Sequence, residues 1–204
     1  MSTVVYAPMS GSVWSLDCYC YFTASACSGP NSGCGCGCGS GSGCDSGQGR
    51  ICAHCAIPGY SSPVDIGGAS SGDTLWFYAN CPVKSINAEQ FTGGCPGQSN
   101  SSQWAQSLKI TMYDNFGGSG SQLGVVVYHH VANRVSGVIN NSDPTGCLYN
   151  HYCAIPIGYF TSNCGCSCYS GVHVHMQRGG GSTESMSCGQ SLTGGGGGSA
   201  IYRW

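Results

Sequence analysis

The sequence predicts an all-β protein: an antiparallel sheet or sandwich-like fold with no substantial helix. No window keeps apolar residues at i, i+3 and i+4 behind a capped start, the pattern of an amphipathic helix. Short runs of β-branched and aromatic residues recur along the chain instead. Clusters of Gly, Ser, Asn and Pro separate these runs, and such residues favour turns.

Eight runs are predicted as strands. The first, Thr3–Tyr6, holds two valines and a tyrosine, and Ser12–Ser15 follows after the turn-forming Pro8 and Gly11. Each later run also places β-branched or aromatic residues between turn formers. In chain order these runs are Thr74–Tyr78, Val83–Ile86, Leu108–Tyr113, Gly124–Tyr128, Ile155–Phe160 and Val172–Met176.

The 204 residues suit a single domain with glycine-rich decorations. We expect the β core to span residues 7–27 and 50–178. Residues 28–49 are a Gly/Cys/Ser-rich insertion, and residues 179–204 form a Gly-rich C-terminal extension. At the end of this extension, Ile201–Trp204 is predicted as a docking strand. It would pair either with its own domain or with the domain of a neighbouring molecule.

Cysteine content predicts the compartment. The chain has 17 cysteines, nine of them before residue 60, while only 7% of its residues are charged, against about 25% in ordinary domains. So many thiols indicate a secreted, extracellular protein with disulfide staples. Thiolate metal clusters are the alternative, but Cys52–Cys55 is the sole Cys-x2-Cys spacing. Because 17 is odd, one thiol is free, bonded to another chain, or metal-bound.

Charge and hydropathy exclude two classes of partner. The net charge is −2 and no basic residues cluster, which argues against nucleic-acid binding. No apolar run approaches the length of a membrane span. Low surface charge removes repulsion between copies, so self-association into a homo-oligomer or filament is expected. Asn100 and Asn140 begin glycosylation sequons.

A His-x-His pair is the first candidate site. In a strand, His173 and His175 project from one face. Two imidazoles with a distant carboxylate are the minimum for a His/Asp zinc site, and His130 ends another apolar run. The alternative is an ordinary pair of histidines without metal.

Four segments occur in an order that is more specific than this pair. Together they resemble the lysostaphin-type (LytM-like) zinc endopeptidases, which cut peptide crosslinks of bacterial cell walls. The segments are Ala7–Val13, Pro63–Gly68 with Ser71–Leu75, Val125–Val131, and Ile155–Tyr159 followed by Gly165–Met176.

The resemblance implies a compact antiparallel β fold with an open groove over its central sheet. It implies Asp65 and His175 as zinc ligands. It places His130 and His173 beside the metal-bound water, as base or as support for the tetrahedral intermediate. Zinc would lower the pKa of that water and polarise the scissile carbonyl.

The sequence departs from the family at the first metal ligand. The family's histidine four residues before the aspartate is Ser61 here, and a neutral hydroxyl is a poor zinc ligand. His54 is a possible substitute. Met176-Gln177 replaces the family's closing Phe-Glu, and the neighbouring His129 competes with His130 for the active-site position.

Each candidate also has a structural interpretation. Asp65 could cap a turn, and the His173/His175 pair could be hydrogen-bonded without metal. We expect His54, His129 and His151 on the surface or in loops. Five aromatic residues are expected in the core rather than in a sugar-binding platform: Trp14, Trp76, Phe77, Tyr78 and Trp104.

Three functions follow from these observations. The leading hypothesis is a secreted, disulfide-stapled, non-catalytic structural protein without cofactor, a subunit of an extracellular filament, sheath or coat on a degenerate metallopeptidase fold. The second is an active zinc endopeptidase in which a ligand such as His54 completes the site. The third is a module that binds glycan or cell-wall peptide in the groove.

Overall fold

The chain folds into two antiparallel β-sheets, which confirms the predicted all-β class. The computed structural model describes residues 2–16, 60–91, 107–142, 152–161, 172–187 and 189–204. Within these ranges there is one 3-10 turn, Phe116–Gly118, and no α-helix. None of the described segments is a helix with the length and apolar character needed to cross a membrane.

The described ranges contain fourteen strands. They are β1 (Val4–Tyr6), β2 (Gly11–Leu16), β3 (Ser61–Gly67), β4 (Thr74–Ala79), β5 (Ser85–Phe91), β6 (Ser107–Tyr113), β7 (Gln122–His129), β8 (Val131–Ala132), β9 (Gly137–Asn140), β10 (Cys153–Phe160), β11 (His173–Gly179), β12 (Ser182–Thr183), β13 (Ser191–Leu192) and β14 (Ala200–Arg203).

The strands form a sheet of six and a sheet of eight. The six-stranded sheet has the order β12-β14-β1-β4-β10-β8. The eight-stranded sheet has the order β13-β2-β3-β11-β7-β6-β5-β9. One apolar core joins the inner faces of both sheets, because most strands direct apolar residues into it. In β4, for example, Leu75, Phe77 and Ala79 are buried, whereas Trp76 and Tyr78 between them are partly exposed.

All eight predicted strands are present, with shifted ends, but several strands were missed. Among the missed strands, β3 contains Pro63 and ends in glycine. β5 was predicted only in part, as Val83–Ile86, because its sequence Ser-Ile-Asn-Ala-Glu-Gln-Phe is rich in residues with weak β propensity. β5 forms because it pairs with β6 over seven residues and with β9 over four. Tertiary pairing therefore overrides local propensity in this strand.

The glycine-rich C-terminal segment supplies strands to both sheets. β13 pairs with β2, while β12 and β14 belong to the six-stranded sheet. The backbones of Thr3 and Trp204 exchange two hydrogen bonds of 3.0 Å each. The Trp204 indole donates to the Gly179 carbonyl at 2.9 Å and packs over Gly124. The predicted docking strand thus docks on its own domain.

The expectation for the aromatic residues is corrected in part. Phe77 lies in the core as predicted. Trp76 and Tyr78 do not, because their positions in β4 point away from the core, to the outer face of the six-stranded sheet. The Trp14 side chain and Trp104 lie outside the described residues, as do His54, His151 and the insertion 28–49.

Two of the 17 cysteines lie in the described residues. Cys81 is disulfide-bonded. Cys153 is a free thiol, fully buried in β10. Burial raises the pKa of the Cys153 thiol to about 12, because a thiolate there would lack solvation. A buried thiol of this kind is unsuited to a bond with a neighbouring molecule. The extensive crosslinking expected from composition stays a prediction.

Candidate functional site

The candidate site is a polar row that crosses four adjacent strands of the eight-stranded sheet. His175 of β11 is directly opposite Asp65 of β3 on one side and His129 of β7 on the other. Ser107 of β6 extends the row by its contact with His129. These side chains occupy the face opposite the core, because their strand neighbours, such as Val174 and Met176, are the core residues.

Asp65 and His175 bind each other directly. Oδ1 of Asp65 lies 2.7 Å from Nδ1 of His175, and the side chains are 7% and 3% exposed. A carboxylate accepts, so Nδ1–H of the imidazole donates. The two predicted metal ligands are thus brought together, and their closest atoms satisfy one another.

His129 is part of the same row, although it was expected on the surface. It is 1% exposed, and its Nδ1 lies 2.5 Å from the hydroxyl of Ser107. Its Nε2 lies 3.3 Å from Oε1 of Gln177. An amide oxygen only accepts, so Nε2–H of His129 donates to Gln177, while the Ser107 hydroxyl, which can donate or accept, faces Nδ1. His129 is therefore held at both ring nitrogens.

The Ser107–His129 contact has the form of a nucleophile beside a base. However, both side chains are about 1% exposed, so no substrate reaches the hydroxyl. Arg134 fixes the same strand end by donating to the Ser107 carbonyl at 2.8 Å. Partial burial lowers the pKa of the Arg134 guanidinium. We interpret the contacts of Ser107 with His129 and Arg134 as structural support for the polar row.

His130 and His173 form a second pair beside the row. Their ring centroids are 4.7 Å apart, and they are 5% and 3% exposed. His130 has a φ of 65°, a left-handed conformation that is unusual for residues other than glycine. The chain leaves β7 for β8 here and passes from the eight-stranded sheet to the six-stranded one. This sharp change of direction allows two consecutive histidines, His129 and His130, to contact the two histidines of β11.

The four predicted site residues lie together in the structure: Asp65, His130, His173 and His175. His129, which the sequence offered as an alternative to His130, belongs to the same row, whereas Ser107 and Gln177 were missed. Strand alternation could have indicated His129 and Gln177, because residues two apart in a strand lie on the same face. His129 follows Val127 by two residues in β7, and Gln177 follows His175 by two residues in β11. The groove that the resemblance implies is not open at these histidines, because each is 5% exposed or less.

A zinc ion does not fit the row as it stands. Ligand atoms about 2.1 Å from zinc at a tetrahedral angle lie about 3.4 Å apart. Oδ1 of Asp65 and Nδ1 of His175 are closer, at 2.7 Å, and hydrogen-bonded. Within the described ranges, no group of three or more His, Cys, Asp or Glu side chains is arranged to hold a metal. Ser61, which the resemblance aligns with a metal-binding histidine, is the first residue of β3.

Comparisons with protein-family models, with curated proteins and with solved structures found no match.

Proposed function

We propose that this protein is an exported, non-catalytic structural protein that associates with copies of itself, built on a metallopeptidase-like β core. The observation that carries the proposal is the hydrogen bond between Asp65 and His175. The resemblance assigns both residues to a metal. Here they satisfy each other in a buried position, as paired polar groups of a stable core do.

The loss of the first ligand supports the absence of catalysis. A catalytic zinc site commonly has three protein ligands and a water. Ser61 offers a neutral hydroxyl in place of an imidazole. Because Asp65 and His175 bind one another, the described residues of the row do not form the three-ligand arrangement that activates a water molecule.

Self-association is supported by the edges of the eight-stranded sheet. One edge is β9, whose four residues Gly-Val-Ile-Asn carry no charge, and Val138 within it is 51% exposed. Proteins that avoid edge pairing usually place charges or proline at such positions. The opposite edge is β13. If β9 of one copy pairs with β13 of the next, the contact is head-to-tail and builds a ring or an open filament.

A metal and activity assay tests the absence of catalysis. The purified protein is measured for bound zinc and incubated with pentaglycine peptides and muropeptides. We expect less than one zinc per ten chains and no cleavage. Stoichiometric zinc together with cleavage would establish the zinc endopeptidase instead.

A charge placed at the edge tests self-association. Val138→Lys should lower the weight-average mass in analytical ultracentrifugation, because a lysine on an edge strand opposes pairing. Ser70→Lys adds the same charge in an exposed turn between β3 and β4 and serves as the matched control. A monomeric wild-type protein at high concentration, or equal effects of both variants, contradicts pairing through β9.

A further inference from the structure

A second candidate site lies on the outer face of the six-stranded sheet. Trp76 and Tyr78 alternate with core residues of β4 and project from this face, where both are partly exposed. Their ring planes are within 15° of parallel, with centroids 6.0 Å apart. Partial burial raises the pKa of the Tyr78 hydroxyl. The pair is therefore a surface feature.

Adjacent strands extend this pair into a continuous strip. Pro156 of β10 is directly opposite Trp76 and is exposed. A register shift follows between Pro156 and Gly158, and the next residue, Tyr159, is 41% exposed. Such bulges re-aim side chains. At the other end, the rings of Tyr6 and Tyr152 meet edge to face at 5.4 Å. We name this set the aromatic strip: Tyr152, Tyr6, Tyr78, Trp76, Pro156 and Tyr159.

The strip contains no charged residue. At one margin Arg203 is ion-paired with Glu184. At the other, Asp73 accepts a hydrogen bond from the Ser70 amide at 2.8 Å in the turn before β4. None of the six strip residues carries a charge that would bind phosphate or pair with an acidic or basic peptide. The chemistry of the strip favours an uncharged ligand.

We propose that the aromatic strip binds an uncharged polysaccharide. A pyranose ring has an apolar C–H face and a rim of hydroxyl groups. The flat rings of Trp76 and Tyr78 match the apolar face, and the phenol hydroxyls of Tyr78 and Tyr159 can hydrogen-bond the rim. Residues two apart in a strand are separated by about 6.6 Å, which is comparable with one sugar unit. The strip thus offers successive contacts along a glycan chain.

This site is separate from the histidine row, which belongs to the other sheet. It also does not depend on the edge pairing proposed above, because β4 and β10 are interior strands of the six-stranded sheet. A structural protein with this strip would attach to a glycan matrix while its other sheet pairs with further copies.

Titration with cellohexaose and chitohexaose tests the proposal, followed by calorimetry and by tryptophan fluorescence. We expect saturable binding of at least one oligosaccharide, insensitive to chelator and to salt. Trp76→Ala should weaken binding at least tenfold. Tyr159→Ala, at a more exposed position that folding tolerates, should weaken it at least threefold. Phe116→Ala changes an aromatic residue that is 39% exposed elsewhere and is the matched control.

Failure of both oligosaccharides to bind overturns the proposal. Binding that Phe116→Ala weakens as much as Tyr159→Ala also overturns it, because the effect would then be unspecific. A change of oligomer size in Trp76→Ala or Tyr159→Ala, without sugar binding by the wild type, would assign the strip to a protein interface. Val138→Lys should leave sugar binding unchanged, so the two proposals fail independently.

Discussion

Asp65 accepts a hydrogen bond from His175 across the β3–β11 ladder, at 2.7 Å, although 110 residues separate them in the chain. Their placement depends on the register of two central strands of the larger sheet. The contact is therefore sensitive both to local chemistry and to correct strand pairing.

Removing either partner should destabilise the fold. Asp65→Ala leaves the buried imidazole of His175 without this acceptor, so we expect the free energy of unfolding to fall by about 1–3 kcal/mol. His175→Ala should cost a similar amount. Urea unfolding of both single variants and of the double variant measures their coupling. Additive effects would contradict a direct structural role for the bond.

Restoring the missing ligand should create a metal site. Ser61→His adds an imidazole four residues before Asp65, at the position where the resemblance expects the first ligand, and Asp65 and His175 would exchange their mutual hydrogen bond for the metal. We expect one zinc per chain by calorimetry for Ser61→His and none for the wild type. The double variant Ser61→His/Asp65→Ala is the control and should lose the zinc. Equal zinc binding by wild type and Ser61→His would show that another ligand already completes the site.

The sequence predicts the strands and the Asp65, His130, His173 and His175 set better than it predicts their surroundings. Those four residues are recognisable because strand alternation and the order of the motifs are local signals. The role of Ser107 depends on the pairing of β6 with β7, which local patterns do not encode. Likewise, β5 becomes a strand through its neighbours, and the burial of His129 depends on a change of sheet at His130.

Two buried tyrosines should respond oppositely to loss of the hydroxyl. Among the described residues, the Tyr128 hydroxyl has no hydrogen-bond partner, whereas Tyr202 donates to the Met176 carbonyl at 2.9 Å. Tyr128→Phe should therefore be neutral or stabilising by up to about 1 kcal/mol, and Tyr202→Phe should cost about 1 kcal/mol. Thermal and urea unfolding measure both. A clear loss of stability in Tyr128→Phe would reveal a bound partner for its hydroxyl.

Cys153 should make stability fall at alkaline pH. Its pKa is raised to about 12 in the folded chain, whereas a free thiol has a pKa near 8.5. Between these values only the unfolded chain loses the proton, so stability falls by at most about 1.4 kcal/mol per pH unit. Urea unfolding at pH 8, 9 and 10 should show a steeper decline for the wild type than for Cys153→Ala. Alkylation of Cys153 by iodoacetamide under native conditions would contradict its burial.

The packing of Trp204 should make Gly124 intolerant of a side chain. A Cβ at Gly124 would lie 2.6 Å from the Trp204 ring and 2.8 Å from Met112, too close for either to remain in place. Gly124→Ala should lower the melting temperature by several degrees and increase the solvent exposure of Trp204, measured by fluorescence quenching. Gly179→Ala is the control, because its Cβ would meet neighbours at 3.4 Å and beyond. Equal melting temperatures for the two variants would place Trp204 elsewhere.

The pairing of β1 with β14 also sets the order of events during synthesis. β1 leaves the ribosome first, while its partner Ala200–Arg203 is translated after almost all of the intervening chain. At roughly 5–20 residues per second, this delay is on the order of ten seconds or more. The six-stranded sheet therefore cannot close until Ala200–Arg203 has been translated. In the interval the nascent chain exposes apolar strands and reduced thiols, so chaperones have time to engage it before it becomes rigid.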